Sequence, residues 1–149
     1  MLPSAVDGWN AWGTSWSWSA VLIAVTIAVH SAGIVALVHW LETSWRTRVH
    51  ARLDRSIAVI VVVALLLAML HTFECFLWAA VYVYVGALTS RPEALLYSVD
   101  SMTTRGASGI ALATHWRMMG AAESGDGLLL FGISTAFLFW VMQRQFSVE

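Results

Sequence analysis

Three apolar runs, Trp18 to Leu41, Ser56 to Gly86 and Trp116 to Met142, constrain this chain more than any other feature. A helix rises about 1.5 Å per residue, so roughly 20 apolar residues cross the ~30 Å hydrocarbon core of a bilayer. Each run meets that length. With 59% hydrophobic and only 11% charged residues over 149 positions, the remainder of the chain is too short and too apolar to cover three such surfaces in water, and the sequence reads as an integral membrane protein. Nine tryptophans, many near the ends of the runs, fit rings settled at the headgroup level.

The charges orient the spans. Every basic residue is arginine, with no lysine-rich tail or basic face, which argues against nucleic acid as a partner. ETSWRTRVHARLDR, Glu42 to Arg55, concentrates arginines between the first two runs and belongs on the cytoplasmic face, against anionic membrane lipid. The amino terminus is then outside and the carboxyl end, with Arg144, inside, as in a bacterial inner membrane. Those arginines lie outside the spans, so they do not form a voltage sensor. Met1 to Ser17 lacks a basic start and a cleavage site and reads as a retained extracellular leader. Trp9, Trp12 and Trp16 fall at helical spacing, but Gly8 and Gly13 weaken a helix, so an irregular aromatic anchor is expected. The single cysteine, Cys75, excludes an internal disulfide.

The segment Leu88 to His115 is the informative one. Pro92 suits a first helical turn, Glu93 meets the positive end of the helix dipole, and EALLYSVDSM continues a helix. About ten residues give only ~15 Å, half the hydrocarbon thickness. A short helix followed by Thr-Thr and glycine predicts a re-entrant loop, tolerated at depth only when it is buried in protein or lines water.

From Ala94 to Arg144 the chain resembles the pore module of the potassium channel superfamily, through ALLYSVDSMTT, HWRMMGAAE and GLLLFGISTAFLFWVMQR. The resemblance implies an all-α membrane protein: three transmembrane helices plus a re-entrant pore helix and filter-like loop, four chains forming a homotetramer around a central axis. In those terms residues 1–17 are the leader, 18–41 an extra transmembrane helix, 42–55 the basic linker, and 56–149 the pore module. Within the module, 56–86 is the outer helix, 92–103 the pore helix, 104–109 the filter-like loop and 116–142 the inner helix. Relatives carry T-V/L-G-Y-G-D, whose stacked carbonyls replace the hydration shell of potassium. Here Thr103 precedes Thr104, Arg105, Gly106, Ala107, Ser108 and Gly109. The threonine and first glycine match; the tyrosine, second glycine and aspartate do not. The expected function is a weakly cation-selective channel whose partners are lipid, its own copies and permeant inorganic ions, with no cofactor and no resident metal. A non-conducting scaffold on the same fold is the alternative.

Individual residues refine this reading. By the resemblance Arg105 points behind the filter, where Asp100, one turn earlier, is placed to pair with it; turned inward instead, it would favour anions. Gly127 or Gly132 falls near the position of a gating hinge. Asp126 either rings a cavity or pairs with Arg117 or a pore-helix group, and Glu123 reads as a structural tie. Gly120, Ala121, Gly125 and Gly127 are expected at contacts between copies. His71 and Glu74 share a helix face and read as a polar clamp onto the pore helix rather than a metal site, since no second such pair exists. Haem ligation by His30 and His71, each near mid-span, is a third reading. Cys75 beside His71 lacks a third group and an oxyanion hole, which discards catalysis.

Overall fold

The computed structural model describes residues 5–46, 53–106 and 109–146. Among them the chain is all-helical: α1 (Ala5–Arg46), α2 (Leu53–Tyr84), α3 (Arg91–Met102), a single 3-10 turn (Thr114–Trp116) and α4 (Arg117–Phe146). Three stretches are long and apolar enough to cross a membrane: Trp12–Thr43, Ser56–Tyr84 and Thr114–Phe146. Their outward faces carry large apolar side chains such as Val35, Leu65, Met69 and Phe139, the surface a hydrocarbon solvent accepts.

Register fixes the helix directions. Thr26 and His30 of α1 meet Asp126 and Ser134 of α4 in the same order, so those helices run parallel. Trp78 and His71 of α2 meet the same two residues in reverse order, so α2 is antiparallel to both. The packing forms two apolar clusters. One gathers Leu22, Trp78, Tyr82, Met102, Trp116, Met119 and Leu130, with α3 included. The other gathers Leu41, Val59, Val63, Leu67, Phe137 and Val141. Between them on each long helix lie buried polar residues.

Two boundaries differ from the sequence reading. The leader is not irregular from Ala5 onward: α1 runs unbroken from Ala5 through Gly8 and Gly13 to Arg46. Each glycine costs about 1 kcal/mol of helix propensity, which the continuous hydrogen-bond ladder and the apolar span that follows outweigh. The helices also enter the 42–55 linker from both sides, since α1 extends to Arg46 and α2 begins at Leu53. Both extensions have one cause. A helix already nucleated by an apolar span extends through its flanks because each further residue adds a hydrogen bond without a new nucleation cost.

Candidate functional site

The short helix α3 is built to dock. Ser90 caps it by accepting from the Glu93 amide at 3.5 Å, and Pro92 and Glu93 fill its first turn. Its buried face, Ala94, Tyr97, Ser98, Ser101 and Met102, packs on α2 and α4. Glycines make the approach possible: a Cβ at Gly120 would collide with the Tyr97 hydroxyl, and one at Gly127 with the Met102 carbonyl. Ser98 bonds the Cys75 carbonyl at 2.9 Å and also the Glu123 carboxylate, which Tyr82 meets from α2 at 2.6 Å. Glu123 therefore ties α2, α3 and α4 together. Gly120 and Gly127 serve contacts inside the chain. Gly125 and Gly132 meet nothing within 4 Å and lie open, as does Ala121.

Beyond Met102 the backbone turns sharply. Thr104 adopts φ 56°, Gly106 φ 86° and Gly109 φ 80°; a β-branched residue in the left-handed region is a strained choice that surrounding bonds must hold. The Asp100 carbonyl holds it, accepting from the Arg105 amide at 2.9 Å and the Gly106 amide at 3.3 Å. Arg105 Nη1 also lies 3.0 Å from Asp100 Oδ1, where the Asp100 side chain is 0% and the Arg105 side chain 69% exposed. Within one chain the guanidinium is thus not buried behind anything. Thr103, whose hydroxyl donates to the Val99 carbonyl at 2.6 Å, is exposed, and so are Thr104, Arg105 and Gly106. Ala107 and Ser108 lie outside the described residues.

The second constellation is interior. Asp126 Oδ2 accepts from Thr26 Oγ1 at 2.7 Å and from Trp78 Nε1 at 3.1 Å. It therefore faces neither a cavity nor Arg117 nor α3, because its position on α4 points between α1 and α2. One turn further along the helices, His30 Nδ1 stands 2.8 Å from Glu74 Oε1 and His71 Nδ1 3.2 Å from Glu74 Oε2. Both Nε2 atoms meet the same Ser134 hydroxyl, His30 at 3.0 Å and His71 at 3.1 Å. His71 and Glu74 thus clamp α2 to α1 and α4, not to the short helix, since their face of α2 is turned away from Ser98. With both imidazoles on one hydroxyl and ring centres 5.0 Å apart, no porphyrin plane fits between His30 and His71.

The sequence reading missed Thr26, Trp78 and Ser134 as partners. A signal was present: Ser15, Ser19, Thr26 and His30 on α1, His71, Glu74, Trp78 and Tyr82 on α2, and Glu123, Asp126 and Ser134 on α4 recur at helical spacing, and all but Trp78 and Tyr82 are buried polar or charged residues. Three polar stripes in three apolar helices predict that the stripes face one another. No protein-family model, no curated protein and no solved structure matches this chain.

Proposed function

We propose that the chain is one subunit of a homotetrameric, potassium-channel-like ion channel with an altered filter, weakly selective for cations. The observation that carries the reading is the depth of the turn after α3. Met102 packs against Gly127, which lies within about 5 Å of the midpoint of the Thr114–Phe146 helix at 1.5 Å per residue. A polar, non-helical backbone exposed at that depth is incompatible with lipid and needs protein or water beside it. Further copies of the chain, with residues 103–106 of each around an axis, would supply both. The re-entrant path of α3, the bacterial inner-membrane location and the outward amino terminus belong to the same proposal.

A specific feature favours a second reading, anion permeation: the Arg105 guanidinium is the exposed member of its ion pair. The pair with Asp100 offsets that charge, which is why weak cation preference is proposed first. Native mass spectrometry is expected to give four copies, and reconstituted protein is expected to pass current with a small cation-directed reversal potential in asymmetric KCl. An anion-directed potential selects the second reading. Silence over a wide range of voltage and pH, from a tetramer, leaves a non-conducting scaffold, and a monomer sinks the pore altogether.

A further inference from the structure

We propose that His30, His71 and Glu74 form a metal site for a zinc-class divalent cation, held between α1, α2 and α4 within a single chain. The three residues offer ligand atoms that all lie within 4.8 Å of one another, and all three are buried. Their second contacts permit the tautomers that ligation needs. Ser134 Oγ faces both Nε2 atoms, and a hydroxyl oxygen accepts two N–H bonds through its two lone pairs. His30 Nδ1 hydrogen-bonds Glu74 Oε1 at 2.8 Å; with both Nε2 protons placed on Ser134, the same geometry turns both Nδ1 lone pairs toward the two oxygens of Glu74 and makes them ligands. A cation between them would replace that hydrogen bond with coordination to both nitrogens and to the carboxylate. Consistent with that, His71 Nδ1 and Glu74 Oε2 are buried without a hydrogen-bond partner although only 3.2 Å apart.

The spacings suit a shared ion. Donors about 2.0–2.2 Å from zinc and separated by 2.8 and 3.2 Å subtend about 85–100° at the metal. Two histidines and a glutamate are a known zinc donor set, and a histidine ligand that gives its other N–H to a fixed acceptor is the usual arrangement around it. Charge also balances. A dication with Glu74 ionised leaves one positive charge, and Asp126, whose partners Thr26 and Trp78 lie one turn from His30 and Glu74 and whose Oδ1 is unpartnered and buried, supplies the compensating one. Among the described residues no arginine makes an ion pair with Glu74 or Asp126. Sequence alone pairs His71 with Glu74; the third ligand, His30, comes from another helix, and only the fold brings it in.

The test uses the full chain in detergent, stripped with chelator and titrated with Zn2+ by calorimetry and with Co2+ by visible absorption. One ion per chain is expected, with Co2+ giving the d–d bands of a four-coordinate nitrogen and oxygen site. Glu74→Gln and His71→Asn should weaken Zn2+ binding at least about 100-fold, and Ser134→Ala, which loosens both imidazoles without removing a ligand, about 10–100-fold. Glu123→Gln, a buried acid elsewhere on the same helices, should leave binding unchanged. A flat Zn2+ titration of the unmodified protein, or a Co2+ spectrum of the hexa-aqua type, overturns the site whether or not any variant folds. Equal affinity in Glu74→Gln overturns it too. The site lies inside one chain, so its fate is separate from that of the tetramer.

Discussion

At the level of Cys75, one side of the chain holds Asp126, whose Oδ2 receives both Thr26 and Trp78. The other side ends a helix in Thr103, Thr104, Arg105 and Gly106, all exposed. Both regions put polar groups deep among apolar helices. The interior layer draws its partners from helices far apart in sequence and is covered on all sides, although His71 Nδ1, Glu74 Oε2 and Asp126 Oδ1 keep no hydrogen-bond partner within it. The turn draws its bonds locally, from the Asp100 carbonyl and carboxylate, and leaves its outer side open. Since unpaired polar groups cost several kcal/mol in hydrocarbon, the difference separates a surface that folding covers from one that further copies would cover in the proposed tetramer. Helix α4 divides the same way, with Gly120 and Gly127 consumed inside the chain and Gly125 and Gly132 open.

The largest expected effect breaks the finished side. Gly127→Leu forces a side chain into the Met102 carbonyl, a backbone atom that moves only with α3. A destabilisation of about 3 kcal/mol or more is expected, at the upper end of overpacking costs. Cys75, buried and 3.5 Å from Met102 Sδ, should become reactive to a thiol reagent. Gly125→Leu meets no neighbour within 4 Å and should leave the melting of the single chain unchanged while altering oligomer mass. Equal loss of Cys75 protection in both variants would erase the distinction between the two faces of α4.

The three spans and the short helix were legible in the sequence because their signals are local: run length, Pro92 and Glu93 at a helix start, Thr-Thr-Arg-Gly at its stop. The interior partners were not, because hydrogen bonds such as Thr26 to Asp126 join residues a hundred positions apart and periodicity names a face without naming what it meets. Glycine was ambiguous for the same reason. Gly120, Gly125 and Gly127 look alike in the sequence, and only the placement of α3 separates a notch from an open face.

A smaller effect probes the interior layer one bond at a time. Thr26→Val keeps the shape and removes the donor at 2.7 Å, leaving Asp126 with Trp78 alone. A cost of about 1–2 kcal/mol in detergent unfolding is expected, since bonds between membrane helices are individually modest and the residual cost is that of an underpaired carboxylate. The fold should survive, as the substituted side chain retains the apolar packing around it. No measurable change would mean that water reaches Asp126 and that the layer is less closed than its burial indicates.

The smallest expected effect lies at the turn, and its size reports what surrounds it. Arg105 and Asp100 are 3.0 Å apart, but the arginine side chain is 69% exposed in one chain. If the neighbouring chains leave a water-filled vestibule there, the guanidinium stays hydrated and the pair contributes about 0.2–1 kcal/mol, the range of exposed ion pairs. If they close over it, each charge is buried because the other is present; removing one partner then costs about 3–5 kcal/mol, and removing both is nearly neutral. The weakly selective pore predicts the first outcome. A double-mutant cycle of Arg105→Leu and Asp100→Val, read by tetramer melting, should give a coupling below about 1 kcal/mol. Arg105→Leu alone should leave assembly intact while moving the reversal potential further toward cations, because it uncovers a ring of Asp100 carboxylates. A coupling near ~4 kcal/mol with rescue in the double mutant would place the turn in a dry interface between copies. The interior layer and the turn would then be two versions of one solution, and the case for water at the axis would be lost.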